Sequence, residues 1–582
     1  MNRLDSTRSS ISRSDARYFF YPIPLTYPKP AYYCRRLNLI PIVGQMRLER
    51  MMTRVCTLLC LVAFGLDLAA KEPNILFAFA DDWGRQAGIY SKVDGAGTIN
   101  DVTRTPNFDR LAQRGVLFTN ASVNAPSCTP CRSSILSGRN FWETGRGAIL
   151  QGAVWDETIP TWPLLLHNSG YHIGKAYKVW SPGTPRDAGF GGQKHNYQPA
   201  GGKFNGFSGY VMGRGARLGS MEKAKEELYR EVRGNFREFL KDRKEGQPFA
   251  YWFGPTNVHR KWTKGSGKKL WRIDPDDLKG KMPPFLPDVH AVREDLADYL
   301  GEIAAFDAAL GILIEELKKA GEYDNTLIVV SGDHGPPGFP HGKCNLYDFG
   351  TRVCLTIAGP GVKGGRIVND FVCLPDLAPT FLEAGQTKVP AGMSARSLWN
   401  VLKSDQDGWV DPKRDANFTG RERHVERART GQTPYPQRAI RTKDFQFIIN
   451  FRPDRWPLGD PYHLGTDKEP TLQKMEQNTF VTLPDEDAGP TKAWIVANRA
   501  DPKVKPYFEH AYNKRPREEL FDLRKDPHQM KNVAADPAYA KEKAELRSRL
   551  LAYLKATNDP RLIENGKFFE NPPLSGTTQD PR

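Results

Sequence analysis

The sequence predicts an α/β fold: a large mixed, mostly parallel sheet sandwiched by helices, with a smaller C-terminal domain built on an antiparallel sheet and a helix. The apolar runs within Pro73–Gly84 and Thr326–Gly335 are typical of buried parallel strands. Between them, residues 105–139 alternate helix, strand, turn and helix, as an α/β sandwich requires. The alternation in Phe445–Phe451 predicts a strand of a second, antiparallel sheet. A closing helix is expected from about Pro537.

Length and composition set limits on this protein. Its 582 residues are too many for one simple core, and we place the domains at 71–390 and 391–582. A hydrophobic content of 39% excludes general disorder. The net charge of +16 predicts anionic partners. Because the sequence contains no nucleic-acid-binding motif, acidic glycans are favoured over nucleic acid.

The first 70 residues differ from the rest. Residues 1–50 are rich in Arg, Ser, Tyr and Pro and are expected to be an upstream or disordered leader. Residues 51–70 have the parts of a signal peptide, which are a basic start at Met51, an apolar run from Val55 to Leu68 and the small residues Ala69 and Ala70. The apolar run is shorter than the ~20 residues of a membrane-spanning helix. We therefore expect a secreted or periplasmic protein without stable membrane insertion, whose mature chain keeps a charge of +10 because residues 1–70 hold ten basic and four acidic residues.

Ligand-type side chains follow two of the predicted strands. Asp81 and Asp82 end the first apolar run, and Asp333 and His334 end the run that starts at Thr326. Open α/β sheets bind ligands at the carboxyl ends of their strands, and carboxylates suit a hard divalent cation. The alternative to metal binding is that these acids only form the turns that follow the strands. His334 leaves the metal preference open, since imidazole also suits transition metals.

The segment Ser127–Arg139 combines a cysteine with the start of a helix. Cys128 is followed by Pro130 and Arg132, and then by a helical apolar pattern. A nucleophile in the first turn of a helix lies near unpaired N–H groups, which favour an anion. Cys128 and Cys131 could instead form a redox pair, a structural disulfide or metal clip, or be two buried thiols.

Taken together, these stretches resemble the type I (formylglycine-dependent) sulfatases of the alkaline phosphatase superfamily, over roughly the whole chain after Lys71. The resemblance includes the Cys-x-Pro-x-Arg motif at residues 128–132 and the strand-and-turn sequence at residues 519–527. The loop Phe339–Arg352 is similar to that of the heparan N-sulfatase (sulfamidase) branch.

The resemblance implies a set of catalytic roles. A maturation enzyme would convert Cys128 to formylglycine, which would attack sulfur. The implied stabilisers of the sulfate charge are Arg132, Lys178 and Lys343, with Lys175 as the alternative to Lys178, and His259 would protonate the leaving group. The implied ligands of Ca²⁺ are Asp81, Asp82, Cys128, Asp333 and His334.

Two positions depart from the family pattern. Cys131 stands where the family usually has Ser or Ala, and Trp180 stands where a histidine that assists sulfate release is expected. Trp180 cannot accept a proton.

The resemblance predicts a sulfatase that hydrolyses sulfate ester or sulfamate groups of glycosaminoglycan-like carbohydrates. Residues expected to select a charged sugar are Arg421, Arg423, His424 and Arg438, although arginines are more often solvated surface. The alternatives are a phosphonate monoester or phosphodiester hydrolase of the same superfamily and a non-catalytic binder of sulfated glycans.

Overall fold

A computed structural model of the protein describes residues 72–570 and 572; the predicted leader and signal peptide lie outside this range. The strands are β1 (Asn74–Ala80), β2 (Val116–Ser122), β3 (His172–Tyr177), β4 (Phe249–Gly254), β5 (Thr326–Gly332), β6 (Leu355–Ala358), β7 (Arg366–Cys373), β8 (Ala416–Arg421), β9 (Gln437–Thr442), β10 (Phe445–Asn450) and β11 (Glu518–Asp522).

The α-helices that connect the strands vary from one turn to eight. They are α1 (Tyr90–Asp94), α2 (Pro106–Arg114), α3 (Cys128–Ser137), α4 (Trp162–Asn168), α5 (Phe207–Leu218), α6 (Met221–Lys241), α7 (Ser266–Trp271), α8 (His290–Lys319), α9 (Asp348–Thr351), α10 (Leu377–Ala384), α11 (Trp399–Leu402), α12 (Leu472–Gln477), α13 (Pro490–Ala497), α14 (Lys505–Tyr512), α15 (Ala540–Ala556) and α16 (Lys567–Glu570). Within the described range, no helix combines the length and the apolar character needed to cross a bilayer.

The larger sheet has seven strands in the order β3-β4-β1-β5-β6-β2-β7. Strands β3, β4, β1 and β5 are mutually parallel, as are β2 and β7, whereas β6 runs antiparallel to both of its neighbours. The predicted mixed, mostly parallel sheet is therefore confirmed.

Helices cover both faces of this sheet because its central strands are apolar on both faces. On β1, Leu76 and Ala78 belong to the core that includes Leu300 of α8. Ile75 and Phe77 belong to the core on the opposite face, which includes Leu136 of α3. Helix α3, which begins with Cys128, is thus packed directly against the sheet that carries the predicted metal ligands.

The smaller sheet is fully antiparallel, in the order β11-β10-β9-β8. Leu550 and Leu554 of α15 pack with Ile440 and Phe447 of this sheet. This confirms the second sheet and its helix. The boundary between residues 390 and 391 stays a prediction.

The end of β5 is closely packed against the segment that follows β1. A Cβ atom placed on Gly332 would lie 2.1 Å from the backbone oxygen of Trp83, whereas one on Gly213 of α5 would meet no heavy atom within 4 Å. Only glycine therefore fits where the Asp81–Asp82 and Asp333–His334 segments meet.

We expect Gly332→Ala to lower the free energy of unfolding by about 1–3 kcal/mol, because the added methyl group forces the two segments apart. Gly213→Ala is the matched control and should be neutral or slightly stabilising, since alanine is the better helix former. Thermal unfolding of both variants checks this. Equal melting temperatures would contradict the close packing at Gly332.

Candidate active site

The strand register places ligand-type residues together at one edge of the large sheet. Ala80 pairs with Gly332 across the parallel strands β1 and β5, so Asp81 and Asp333 leave the sheet side by side. Strand β4 lies on the other side of β1 and leads to His259. Strand β3 is next in order and leads to Lys178.

Arg132 joins the two acids that leave β1 and β5. Its Nε donates to Asp333 Oδ2 and one terminal nitrogen donates to Asp81 Oδ1, both at 2.9 Å. The guanidinium also donates to the backbone carbonyls of Lys178 and Val179. All three ionic side chains are buried. Burial alone would raise the pKa of Asp81, but the charges of Lys178 and Arg132 hold it well below its usual value.

Asp82 lies at the centre of the site in a strained backbone conformation. Its φ of 61° is in the left-handed region, which a non-glycine residue adopts at a cost. The Asp82 amide donates to Asp333 Oδ1 at 2.7 Å. Its Oδ1 lies 3.3 Å from His334 Nε2 and 3.9 Å from Cys128 Sγ. The turn therefore aims both consecutive carboxylates toward the cysteine.

Cys128 is the first residue of α3, as predicted, and its Sγ lies 3.4 Å from His334 Nε2. Burial and the charge of Asp81 raise the pKa of the Cys128 thiol well above its usual value, and burial does the same for Cys131. Both cysteines are free. Thiol reactivity requires the thiolate, and burial disfavours that form in both residues.

Two lysines each contact one of the consecutive acids. Lys178 Nζ donates to both oxygens of Asp81 at 2.8 Å, and Lys343 Nζ donates to Asp82 Oδ2 at 3.2 Å. Lys175, the alternative to Lys178, instead pairs with Asp187 at 2.9 Å.

His259 is the most accessible side chain of this cluster, with 31% exposure. Its Nδ1 lies 2.5 Å from the backbone oxygen of Arg260. A carbonyl oxygen can only accept, so Nδ1 carries a proton. The nitrogen available for proton exchange is therefore Nε2, which lies 3.7 Å from Asp82 Oδ2.

Buried ligand atoms meet here in arrangements that fit a cation. Three groups of candidate ligand atoms can be distinguished, and within each group the atoms lie within 4.8 Å of one another. The first group is Asp82, Cys128 and His334, the second is Asp81, Cys128 and Asp333, and the third is Asp81, Asp82 and His259. Three of these six residues are carboxylates, which suit a hard divalent ion. All five predicted metal ligands thus lie in one cluster.

The predicted substrate-binding residues lie in the C-terminal part of the chain. His424 Nδ1 lies 2.8 Å from the hydroxyl of Ser127, the residue before Cys128, and burial lowers the pKa of His424 to about 3. Arg423 donates to the backbone oxygens of Gln151 and Pro572.

The other two arginines of that set are buried in ion pairs with acids. Arg421 pairs with Asp485, and Arg438 pairs with Asp559 and Glu422. These contacts give both side chains a role inside the protein, and their contact with substrate stays a prediction.

Sequence reasoning missed Asp487, which lies 3.3 Å from Lys343 Nζ through Oδ2. The neighbouring charges of Lys343 and His259 overcome the effect of burial and lower the pKa of Asp487 below its usual value. Its position at the end of three consecutive acids resembles a solvated turn, so the sequence carried no signal for it.

Trp180 does not face the cluster. Its indole is buried in the core with Trp155, and its Nε1 donates to the Ser133 hydroxyl at 2.8 Å. The position at which the family pattern has a histidine is therefore a packing position in this chain.

We expect Arg132→Met to destabilise the EDTA-treated protein by about 3–5 kcal/mol at pH 7, because two buried carboxylates lose their partner. The depressed pKa of Asp81 means that its pairing stabilises the fold above the usual carboxyl pKa and is lost as the pH falls. The difference from wild type should therefore be constant near neutral pH and shrink only as the pH falls below the usual carboxyl pKa of about 4. Urea unfolding at several pH values measures it, and Arg132→Lys, which keeps one charge, should lose less. A pH-independent difference would contradict the role of charge.

Comparisons with known proteins agree with this geometry. The family model described as Sulfatase matches residues 73–387, which is more than half of the chain. N-sulphoglucosamine sulphohydrolase of Homo sapiens is 26% identical over 86% of this chain and 94% of that protein. An ulvan-active sulfatase of Formosa agariphila is 23% identical over 88% of this chain and 80% of its own length.

A solved structure has the same fold. This structure is that of a protein in complex with its substrate, D-glucosamine-2-N,6-O-disulfate. The two structures compare with a TM-score of 0.55 and 19% sequence identity, and the match covers 84% of this chain and 99% of the other. The sequence-based expectation of a sulfatase fold is confirmed. The chain belongs to the sulfatase family and is a sulfuric ester hydrolase.

Proposed function

We propose that this sulfatase hydrolyses sulfate ester or sulfamate groups of sulfated, glycosaminoglycan-like carbohydrates, with Cys128 as the precursor of its nucleophile. The observation that carries the proposal is the meeting of Cys128 with Asp82, His334 and two lysines at one sheet edge. The similarity to an N-sulphoglucosamine sulphohydrolase supports the carbohydrate substrate. Export from the cytoplasm and maturation by a formylglycine-generating enzyme are parts of the same proposal.

The raised pKa of Cys128 supports a modified nucleophile. As an unmodified thiol it would be protonated at neutral pH and a poor nucleophile. A formylglycine at this position would supply two geminal hydroxyl groups in its hydrate, one to attack sulfur and one to expel sulfate. The first turn of α3 contributes unpaired N–H groups, which favour the developing negative charge.

The acids would hold a divalent cation. The proposed ligands are Asp81, Asp82, Asp333 and His334 together with residue 128. A bound cation supplies Lewis acidity, which lowers the pKa of the nucleophile and orients a sulfate oxygen. The carboxylates favour Ca²⁺, and the imidazole of His334 leaves room for a softer ion.

The chain's own cations would stabilise the sulfate oxygens. Lys178 and Lys343 each present an ammonium group near the Cys128 thiol, and the carboxylates of Asp487 and Asp82 raise the pKa of Lys343 well above its usual value despite burial. Lys343 therefore remains charged at any physiological pH. Fixed charges in a site with little water stabilise a developing negative charge far better than they would in solution.

His259 is the proposed acid for the leaving group. Its Nδ1–H is held by the Arg260 carbonyl, so the accessible Nε2 is the atom that would carry a proton to the leaving oxygen or nitrogen. Its greater exposure compared with Asp82 and Lys343 supports a position where the carbohydrate enters.

We expect Cys128→Ala and Cys128→Ser each to reduce kcat on sulfated sugars at least about a thousandfold, because the proposed maturation enzyme oxidises a cysteine, which neither variant has at this position. Mass analysis of the peptide around position 128 should show the aldehyde in active wild-type protein. Full activity in Cys128→Ser, or an unmodified cysteine in the active enzyme, would contradict the proposed nucleophile.

Removal of divalent cations should abolish turnover, because the nucleophile would lose its activating charge. The measurement is the rate after dialysis against EDTA and after addition of Ca²⁺, Mg²⁺ or Mn²⁺, with Ca²⁺ expected to restore it. Asp82→Asn should weaken metal binding at least about tenfold, whereas the exposed Asp467→Asn is the matched control. Activity that persists in a metal-free protein would contradict this proposal.

A further inference from the structure

Apart from its charge, which raises the pKa of Lys343, Asp487 has no part in the roles given above, although it lies next to the proposed sulfate position. It does not belong to any of the three groups of potential metal ligands within the described residues. It lies 3.3 Å from Lys343 Nζ. An additional carboxylate at this place repels a sulfate group, so its presence calls for a compensating role.

Exposure separates Asp487 from the other acids of the site. Its side chain is 18% exposed, whereas those of Asp82 and Asp333 are fully buried. Within residues 72–570, neither carboxylate oxygen of Asp487 accepts a hydrogen bond, and Oδ2 is buried without one. Asp487 is therefore the acid of this site that a ligand can reach and that has accepting capacity left.

The surroundings of Asp487 keep the carboxylate ionised and in place. Asp485, two residues earlier, accepts from Arg421 and Arg429 and from the Val425 amide. Arg421 also donates to the backbone oxygen of Cys344, the residue after Lys343. One guanidinium thus holds both segments that bring Lys343 and Asp487 together.

We propose that Asp487 is a specificity-determining residue, which accepts a hydrogen bond from a hydroxyl or amino group of the sugar adjacent to the scissile sulfate. This inference rests on the proposed function. An ionised carboxylate can only accept hydrogen bonds, and charge-assisted bonds of this kind are the stronger ones. The same charge disfavours a sugar that brings a second sulfate or a carboxylate to that position. The recognised substrate class is therefore a monosulfated sugar residue with a hydrogen-bond donor next to the reacting group, such as an amino sugar.

The alternative is that Asp487 only orients Lys343, and two kinds of substrate distinguish these roles. N-sulfoglucosamine and glucosamine 6-sulfate carry neighbouring donors, whereas 4-nitrophenyl sulfate carries the sulfate on a ring without one. We expect Asp487→Ala to lower the ratio of kcat/KM for the better of the two sugars to that for the aryl sulfate by about ten- to a hundredfold. Asp487→Asn should lower the ratio less, because its amide oxygen still accepts.

Matched variants complete the experiment. Asp467→Asn removes an exposed C-terminal acid and should leave the ratio at the wild-type value, whereas Lys343→Met should slow both substrates alike. Melting temperatures show whether each variant is folded. Equal losses on both substrates in Asp487→Ala would assign Asp487 to the positioning of Lys343 and overturn the inference.

Binding provides a readout that does not depend on turnover. In a Cys128→Ala background, calorimetry should show that Asp487→Ala weakens N-sulfoglucosamine binding by at least about tenfold more than 4-nitrophenyl sulfate binding. If the wild type hydrolyses neither sulfated sugars nor the aryl sulfate, the proposed function fails, and the binding comparison still decides the role of Asp487.

Discussion

The ion pairs of Arg132 with Asp81 and Asp333 hold this site together. They connect the ends of two adjacent parallel strands to the helix that begins with Cys128. A guanidinium can bond several acceptors at fixed angles, so this one residue sets the distance between the acids and the orientation of the helix. The cost of burying these charges is large and is recovered only when the geometry is satisfied. The helix that begins with Cys128, the acids and the sheet are therefore joined in a single packed unit.

The balance of charge in the cluster explains how so many ionic groups can be buried. Arg132, Lys178 and Lys343 face Asp81, Asp82, Asp333 and Asp487, and each lysine contacts at least one of these acids. The cations that would meet the sulfate are the same groups that neutralise the acids proposed to bind metal. Burial of each group in isolation would cost several kcal/mol, whereas the mixed cluster keeps lysines charged where an anion must bind.

Whether a site residue could be predicted from the sequence depended on how far apart in the chain the interacting residues lie. Asp81, Asp82, Asp333 and His334 follow apolar strands, and parallel strands bring such ends to one edge, so their meeting could be predicted. Lys178, His259 and Lys343 lie in loops, and only the family resemblance identified them. Arg421 and Arg438 are predicted sugar contacts, and the acids with which they pair lie 64 and 121 residues away, which no local pattern reveals. Trp180 breaks the family pattern because its indole fills the core instead of facing the cluster.

Arg421 has a consequence for how this scaffold can acquire new substrates. Because it joins the backbone carbonyl of Cys344 to the carboxylate of Asp485, a displacement of the loop that carries Asp485 would also displace Lys343, the residue before Cys344. A change of specificity toward another polysaccharide would then have to come from side-chain substitutions on an unchanged backbone. A loop displacement at Asp485 would therefore alter the position of the buried Lys343 ammonium group as well as the shape of the site.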